Sequence, residues 1–251
     1  MRLVERTNLA VVDRTLEADG LTNARDLGGL PRRDGSLTPS GVFFRAENVD
    51  RLTPAGWDRV YAAGVRSVVD LRQPTEREQD TSPRPGWLTT RHVDHDGLAE
   101  HPEFWVDYWE TGLVGTALYY LPHLAALPER TGAVLTALAE APEGGVLFHC
   151  MAGRDRTGLI AAILLSAVDT EPESIVDDYL ETVRRASAGA ASGNRNDAEA
   201  ELEAFCATYG TSTEGAFRGA LAGLDVGALL DEAAVPDEVR TRVRTWRGTI
   251  G

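Results

Sequence analysis

Short apolar runs alternate along this chain with longer stretches in which apolar residues recur every three or four positions. The short runs, rich in Val, Leu and Phe, predict buried strands. The longer stretches, some opened by a capping residue, predict helices. The predicted strands are residues 9–12, 42–45, 67–71, 88–93 and 145–149. The predicted helices are residues 54–63, one or two within 103–127, then 128–141, 159–165, 173–185, 196–209, 214–224 and 237–246.

Strands separated by helices are typical of an α/β fold with a central parallel or mixed sheet and helices on its faces. Past residue 169 the pattern becomes all helical, which predicts a helical C-terminal extension within a single domain of residues 1–251. A stretch of small residues, 186–194, predicts either an ordinary connector or a hinge between two of those helices. Such sheets place ligands at the carboxyl ends of central strands.

One segment carries candidate chemistry: residues 149–158, His-Cys-Met-Ala-Gly-Arg-Asp-Arg-Thr-Gly, between a predicted strand and a predicted helix. Backbone N–H groups at a helix N-terminus favour an anion, because they lack partners within the helix and lie at the positive end of its dipole. We therefore predict a phosphate-binding loop with a nucleophile at its base. The residues predicted to bind phosphate are Met151, Ala152, Gly153, Arg154, Asp155 and Arg156.

The side chains of this segment suit phosphoryl transfer. Cys150 is the predicted nucleophile, since a cysteine at a helix N-terminus beside cations titrates at roughly 3.5–7.5. Arg156 supplies a planar fork for two phosphoryl oxygens. We expect Thr157 to offer its hydroxyl to the sulfur and His149 to brace the loop. In-line attack on phosphorus would give a phosphocysteine that water hydrolyses.

The segment resembles the signature loop of the cysteine-dependent protein-tyrosine phosphatases, and most closely the HCxAGKDRTG loop of a bacterial branch described as lipid-phosphatase-like or tyrosine/serine phosphatases. Residues 23–29, 41–46 and 64–72, followed by Glu76, match the family in order and rough spacing. The resemblance covers about residues 8–185. It implies a cysteine-dependent phosphoric monoester hydrolase without metal or cofactor, and it suggests that the helices of 186–251 form a lid. Arg154 departs from the family, which commonly has Lys there, so a planar donor replaces a point charge.

Asp70 and Arg72 look like the Asp-Leu-Arg element of that family. The resemblance implies that they support the loop, with Asp70 bonding loop amides or Arg156, and leaves substrate contact by Arg72 as the alternative. Arg25 and Asp26 are likewise expected to support the loop.

The general acid for the leaving group is left open between three aspartates. Asp155 lies inside the loop beside Arg156, and related phosphatases with an aspartate at this position suggest that it donates the proton. Asp94 and Asp96 follow the predicted strand 88–93, on a loop of the kind that supplies the acid in other tyrosine phosphatases. We expect Asp155 to be the acid.

Composition limits the partners and the compartment. Two cysteines in 251 residues suit a reducing environment. The N-terminus has no apolar leader, and the apolar run from residue 159 is shorter than the roughly 20 residues of a membrane span. We expect a cytoplasmic protein without stable membrane insertion, with signal-independent secretion as the alternative. The net charge of −14 disfavours nucleic acid as a partner.

Several functions compete with a protein phosphatase. The substrate is open among phosphotyrosine, phosphoserine or phosphothreonine, phosphoinositides and a small-metabolite phosphate monoester. The cluster from His92 to Asp96 has the residue types of a metal site, although His92 and His95 should leave a strand end on opposite faces. A rhodanese-like sulfurtransferase and a phosphate-binding pseudoenzyme are the remaining alternatives.

Overall fold

A computed structural model describes residues 13–78, 80–191 and 198–250 of the chain. The predicted strand 9–12 and the end of the predicted connector, 192–194, lie outside these residues. The described part holds one sheet of five strands: β1 (Arg25–Asp26), β2 (Phe43–Ala46), β3 (Val65–Asp70), β4 (Thr89–His92) and β5 (Gly145–His149).

The strand order is β1-β2-β5-β3-β4, with β5 at the centre. Strand β5 runs parallel to both β2 and β3, β4 runs parallel to β3, and only the short β1 is antiparallel to its neighbour. This mixed sheet confirms the α/β fold expected from the sequence. Ala46 and Asp70 both stand opposite His149, so three strands end level with one another, just before Cys150.

Helices pack around this sheet throughout the described residues. Those that precede the last strand are α1 (Pro54–Ala62), α2 (Pro74–Arg77), α3 (Pro102–Trp109), α4 (Tyr120–Ala126) and α5 (Pro128–Ala139). Those that follow it are α6 (Asp155–Ala167), α7 (Pro172–Ala191), α8 (Ala198–Thr208), α9 (Thr213–Gly223), α10 (Val226–Glu232) and α11 (Asp237–Arg244).

Local sequence explains most helix boundaries. Thr53 caps α1, because its hydroxyl accepts the Gly56 N–H at 3.1 Å, and proline occupies the first helical position. The predicted helical region 103–127 is interrupted at Gly112, whose φ of 80° is left-handed. Helix α7 runs on to Ala191, so the first residues of the predicted connector are helical; alanine is the best helix former. The short helix α10 was not predicted.

The last strand and the helix after it form the centre of the core. Helix α6 is buried continuously from Arg156 to Leu165, which explains why this stretch is apolar on all sides. Helix α1 packs Trp57 and Val60 into a separate cluster that contains Val68 and Leu147 of the sheet. Within the described residues, no helix is both long and apolar enough to cross a bilayer.

The C-terminal helices belong to the same core. Trp246, fully buried, packs edge-on against Phe43 of β2 at 4.9 Å between ring centroids, and its indole N–H donates to the Pro39 carbonyl at 2.9 Å. Arg247 donates to the carbonyl oxygens of Ala141 and Gly144, each at 2.6 Å. The end of the chain therefore holds the turn that leads into β5.

Candidate active site

The carbonyl oxygens of residues 151–153 point away from the interior of the loop. The Met151 carbonyl accepts from the backbone N–H of Asn48 at 2.9 Å, and the Ala152 carbonyl accepts from the side-chain amide of Asn23 at 3.4 Å. The Gly153 carbonyl accepts from the guanidinium of Arg45 at 2.7 Å. A planar trans peptide sets its C=O and its N–H on opposite sides. The N–H groups of these three peptides therefore face inward, as an anion-binding row of donors requires.

The loop depends on a glycine at position 153. Its φ of 70° is left-handed, and a Cβ there would lie 2.5 Å from the Ala46 carbonyl oxygen. Only glycine combines this conformation with so close an approach to the neighbouring strand.

Cys150 and His149 occupy the junction between β5 and the loop. Cys150 is buried, with only 2% of its surface exposed. His149 Nδ1 lies 3.0 Å from the Cys150 carbonyl oxygen, which can only accept, so Nδ1 carries the proton. Burial lowers the pKa of His149, although Asp70, 3.9 Å from Nε2, acts in the opposite direction. The neutral ring thus braces the backbone of the nucleophile.

Arg156 is held by two carboxylates through its terminal nitrogens. Its two NH groups donate to both oxygens of Glu76, at 2.5 and 2.8 Å, and one of them also donates to Asp96 at 3.0 Å. Burial disfavours its charged form, but these partners outweigh that effect and raise the pKa of Arg156. Its Nε makes no hydrogen bond to any residue that the structure describes. One edge of the guanidinium is therefore left for a ligand.

The two aspartates after β4 have different surroundings. Asp94 shapes the turn, because its Oδ1 accepts the N–H of Asp96 and of Gly97, each at 3.0 Å. Asp96 points inward and its Oδ2 accepts from the Gln73 side-chain amide at 2.8 Å as well as from Arg156. Burial raises the pKa of Asp96 to about 6 against the opposing effect of Arg156.

Asp155 is the first residue of α6 and lies beside Arg156 in the sequence. Its Oδ1 is buried and has no hydrogen-bond partner among the described residues. Burial raises its pKa, with Arg154 and Arg156 acting in the opposite direction. The Tyr120 hydroxyl donates to the Asp155 carbonyl oxygen at 2.8 Å and so fixes its backbone. An uncommitted carboxyl with a raised pKa suits a proton donor.

Two residues of the loop are placed differently from their predicted roles. The hydroxyl of Thr157 is buried and bonds to no described residue, so the expected bond to the sulfur is absent there. The side chain of Arg154 is buried. Its guanidinium lies 3.1 Å from Glu199 of α8 and 6.0 Å from the centre of the Tyr179 ring. Arg154 therefore contributes its backbone to the loop, while its charge faces α8.

Asp70 and Arg72 form a buried fork-to-fork pair beneath the loop. The Nε and Nη2 atoms of Arg72 donate to the two carboxylate oxygens of Asp70, at 2.9 and 2.8 Å. Further bonds reach Asp50 at 2.6 Å and Asp80 at 3.2 Å, and Arg72 has no exposed surface. Burial acts to raise the pKa of Asp70, but the bonds from Arg72 outweigh it and hold that pKa below its ordinary value. Arg72 is saturated by protein groups, which fits support better than substrate contact.

A second buried cluster lies on the other side of the loop, around Asp178 of α7. Its carboxylate accepts from Arg25 at 2.9 Å, from Arg45 at 2.6 Å and from Arg14 at 2.9 Å. Because Arg45 also bonds the loop, this cluster ties α7 to the loop. Asp26 instead bonds the N–H groups of residues 28 and 41, each at 2.7 Å.

Several residues at the site had no role predicted from the sequence. These are Asn23, Asn48, Asp50, Gln73, Glu76, Asp80, Tyr120 and Asp178. For Asp178 a signal existed, because it lies on the face of α7 that carries the buried Ile175, Tyr179 and Thr182. A carboxylate on an otherwise buried face predicts a charged partner.

The alternative metal site has no support in this geometry. His92 is half exposed and lies 3.4 Å from Asp70, whereas His95 is buried with its Nε2 3.1 Å from the Thr131 hydroxyl. Across residues 13–78, 80–191 and 198–250, no three His, Cys, Asp or Glu side chains are grouped to hold a metal ion.

Comparison with known proteins places the chain in a sequence family. Residues 16–227 match the sequence profile described as "Tyrosine phosphatase family". A Cupriavidus necator protein named among the tyrosine-protein phosphatases is 29% identical over 175 residues, 68% of this chain and 63% of that protein. A tyrosine-protein phosphatase of Nostoc commune is 32% identical over 165 residues, 59% of this chain and 51% of that protein.

A third relative is the triple specificity protein phosphatase PtpB of Mycobacterium tuberculosis. It is 29% identical over 192 residues, 65% of this chain and 67% of that protein. The chain thus spans between half and two thirds of the length of the relatives that it matches.

Proposed function

Since this chain belongs to the tyrosine phosphatase family, we propose that it hydrolyses phosphate monoesters, phosphotyrosine foremost, through a phosphocysteine intermediate on Cys150. One arrangement carries the proposal: a loop with inward N–H groups joins the buried Cys150 to Arg156, whose Nε is unused by the described residues and whose pKa Cys150 helps to raise. That arrangement stabilises the charge on the equatorial oxygens of a transferring phosphoryl group.

In the first step, the Cys150 sulfur attacks phosphorus in line with the leaving oxygen. The S–P bond forms, the P–O bond to the alcohol or phenol breaks, and Asp155 gives its proton to the leaving oxygen. In the second step, the Asp155 carboxylate accepts a proton from water as that water attacks phosphorus. The P–S bond then breaks, releasing inorganic phosphate and the thiolate.

The surroundings of the three candidate aspartates favour Asp155 as the acid. Asp94 holds its turn through two backbone bonds, and Asp96 is committed to Arg156 and Gln73. No hydrogen bond or ion pair joins the Asp155 side chain to another described residue, and burial raises its pKa, so it carries a proton at higher pH than an ordinary aspartate. The acid, the nucleophile and the charge-stabilising groups are all supplied by the chain itself, so the proposed chemistry requires neither metal nor cofactor.

The substrate class follows from the names of the relatives and from the loop. Two of them are named tyrosine-protein phosphatases and one a triple specificity phosphatase, which supports phosphotyrosine and a range extending to phosphoserine and phosphothreonine. Phosphoinositides and small-metabolite phosphate monoesters are the alternative substrates. The two free cysteines fit a reducing compartment, so we infer a cytoplasmic enzyme.

We also infer that α8 limits access to the site as a lid. Glu199 faces Arg154 of the loop, while Leu202 and Phe205 pack against Gly115 and Gly112. Opening α8 would separate all three contacts. Replacing Glu199 by Gln should change kcat/KM for bulky phosphopeptides more than it changes Tm, whereas the exposed Glu201→Gln serves as the matched control. Equal losses of Tm and of kcat/KM would contradict a lid.

The phosphocysteine is tested directly by rapid quenching with labelled phosphopeptide. Label should be recovered on Cys150 and should be absent from Cys150→Ser, which should lose all turnover. A metabolite phosphatase would instead show its highest kcat/KM on sugar or nucleoside phosphates in a substrate panel. If an active enzyme carries no label on Cys150, the proposed mechanism is wrong.

The acid is tested by leaving-group dependence. Asp155→Asn should lower kcat by about 10²–10⁴-fold for alkyl phosphates and much less for activated aryl phosphates, whose leaving groups need no proton. Asp94→Asn and Asp96→Asn should not produce that split between substrates. If one of them produces it and Asp155→Asn does not, the acid has been assigned to the wrong residue.

A further inference from the structure

Arg156 has more carboxylates than its charge can balance. Glu76 binds both terminal nitrogens, and Asp96 adds a second carboxylate at 3.0 Å. With both ionised, this group of three side chains carries a net negative charge before any substrate arrives. A phosphoryl dianion on the free edge of the same guanidinium would then meet like charges at short range.

The two carboxylates differ in their contact with water. The side chain of Glu76 is 21% exposed, whereas that of Asp96 is 2% exposed. Water therefore screens Glu76 far better than Asp96, and the buried group has the larger gain from becoming neutral.

Asp96 can accept a proton without losing its bonds. Both of its side-chain bonds, from Arg156 and from Gln73, end on Oδ2. Oδ1 accepts no hydrogen bond from the residues that the structure describes, so a proton can reside there. Gln73 also donates its backbone N–H to Glu76 at 2.9 Å, which fixes the two carboxylates relative to each other.

Other charged and titratable groups face Asp96 from each neighbouring element. Arg156 of α6 favours its ionised form, while Glu76 of α2 and Asp94 of its own turn oppose it. Buried Tyr119, whose phenol has a raised pKa caused first by burial and in part by Asp155 and Asp96, remains neutral. The pKa of Asp96, about 6, already lies near neutrality, so one further negative charge nearby is enough to protonate it.

We propose that binding of a phosphoryl dianion is coupled to uptake of one proton from solvent by Asp96 Oδ1. This inference rests on the proposed function of the loop. Proton uptake turns the second carboxylate partner of Arg156 into a neutral hydrogen-bond acceptor and frees guanidinium charge for the ligand. Asp96 is thus a positioning residue that acts through Arg156. The affinity for a dianion should weaken as pH rises above about 6, by up to about tenfold per pH unit for one linked proton.

The test uses sulfate, which stays a dianion over the whole pH range, and the Cys150→Ser protein, which has no thiol in the loop. Calorimetry in two buffers of different ionisation enthalpy measures the protons taken up on binding. At pH 7 the Cys150→Ser protein should take up a substantial fraction of one proton. Adding Asp96→Asn should abolish this uptake, flatten the pH dependence of affinity and tighten sulfate binding at pH 7. Adding Asp155→Asn instead should leave the uptake in place.

Each possible result bears on the inference. Sulfate binding without proton uptake would overturn the role of Asp96 while leaving the phosphate-binding loop intact, and this result needs no Asp96 variant. Uptake that persists in a folded Asp96→Asn protein, or that disappears in Asp155→Asn, would also overturn it. Failure of sulfate to bind at all would contradict the proposed loop function as well, and phosphoenzyme trapping reports on that separately.

Discussion

Two arginine clusters flank the loop of residues 149–158 with opposite balances of charge. On the side of α7, Arg14, Arg25 and Arg45 surround the single carboxylate of Asp178. On the side of α2, the single guanidinium of Arg156 is shared by Glu76 and Asp96. We call these the α7 cluster and the α2 cluster.

The difference lies in which donors remain unused. All three nitrogens of the Arg25 guanidinium donate hydrogen bonds: Nε to Asp178, Nη1 to Asn23 and Nη2 to Thr182. No edge of that guanidinium is left for a ligand. Arg156 donates hydrogen bonds to described residues only from its two terminal nitrogens, which leaves its Nε unused. A buried arginine with saturated donors supports the fold, whereas one with an unused Nε can still donate to an anion, which is the role we propose for Arg156.

The pKa values of the central carboxylates differ in the same way. Burial acts to raise the pKa of Asp178, but three surrounding guanidinium groups outweigh it and hold that pKa far below its ordinary value. For Asp96 a single guanidinium is shared with another carboxylate, so burial dominates and raises the pKa to about 6. Excess cation keeps one carboxylate permanently charged, and excess anion makes the other responsive to pH.

The largest expected effect comes from removing the free edge of Arg156. Arg156→Lys keeps the charge but lacks the second donor, so kcat on aryl phosphates should fall by at least about 10²-fold. Steady-state kinetics measure this, and Tm should change far less. The matched change Arg25→Lys in the α7 cluster should show the reverse, with a larger loss of stability than of activity. Similar kcat losses in both variants would erase the distinction between the clusters.

Removing the anion of the α7 cluster should produce the largest loss of stability. Asp178→Asn leaves the buried guanidinium groups of Arg25 and Arg45, and the partly buried one of Arg14, without their counterion, so the free energy of unfolding should fall by about 3–5 kcal/mol. Denaturant titration gives the value, and the surface change Asp177→Asn is the control on the same helix. A loss below about 1 kcal/mol would mean that water reaches the cluster.

The α7 cluster should also make the fold acid-sensitive. Because the pKa of Asp178 is lower in the folded state than its ordinary 3.8, its stabilisation is complete above that pH. It should decline as pH falls further, by up to about 1.4 kcal/mol per pH unit. The gap in unfolding free energy between the unmodified protein and Asp178→Asn should therefore narrow below pH 3.8 and stay constant above it. A gap that is independent of pH would contradict the depressed pKa.

The smallest effect concerns an accessory acceptor. The Thr182 hydroxyl accepts from Arg25 at 2.9 Å and from Arg45 at 3.3 Å. Thr182→Val is nearly isosteric and removes one acceptor from each guanidinium, while both donor nitrogens keep a second acceptor, so stability should fall by only about 1 kcal/mol. Activity should stay close to normal, because the bond from Arg45 to the loop remains. A kcat loss as large as that of Arg156→Lys would show that the α7 cluster acts directly in chemistry.

The sequence predicted the fold well because its signals were local. Strand runs, the Thr53 cap and the apolar helix after the loop all depend on neighbouring residues, and the structure has these elements within a few positions. The predicted helical region 103–127 is broken at Gly112, because glycine takes the left-handed conformation there without strain. Helix α10 was missed because seven residues contain less than two full periods of a helical pattern.

The site was predictable only where a motif was continuous in sequence. The positions of Cys150, Asp155 and Arg156 follow from the segment itself. Their partners come from elements that are far apart in the sequence: Glu76, for example, lies eighty positions before Arg156. A local sequence pattern does not indicate which distant residues will be in contact. The burial of Arg154 under α8 depends on how the extension folds back over the loop.

The outward carbonyls of residues 151–153 carry a thermodynamic consequence. Their donors are Asn48, Asn23 and Arg45, so protein groups alone set the shape of the loop. An incoming anion therefore has no disordered backbone to organise, and it avoids the entropy loss of about 1–2 kcal/mol per residue that ordering a free segment would bring. Small oxyanions should therefore bind without a prior change in the conformation of the loop.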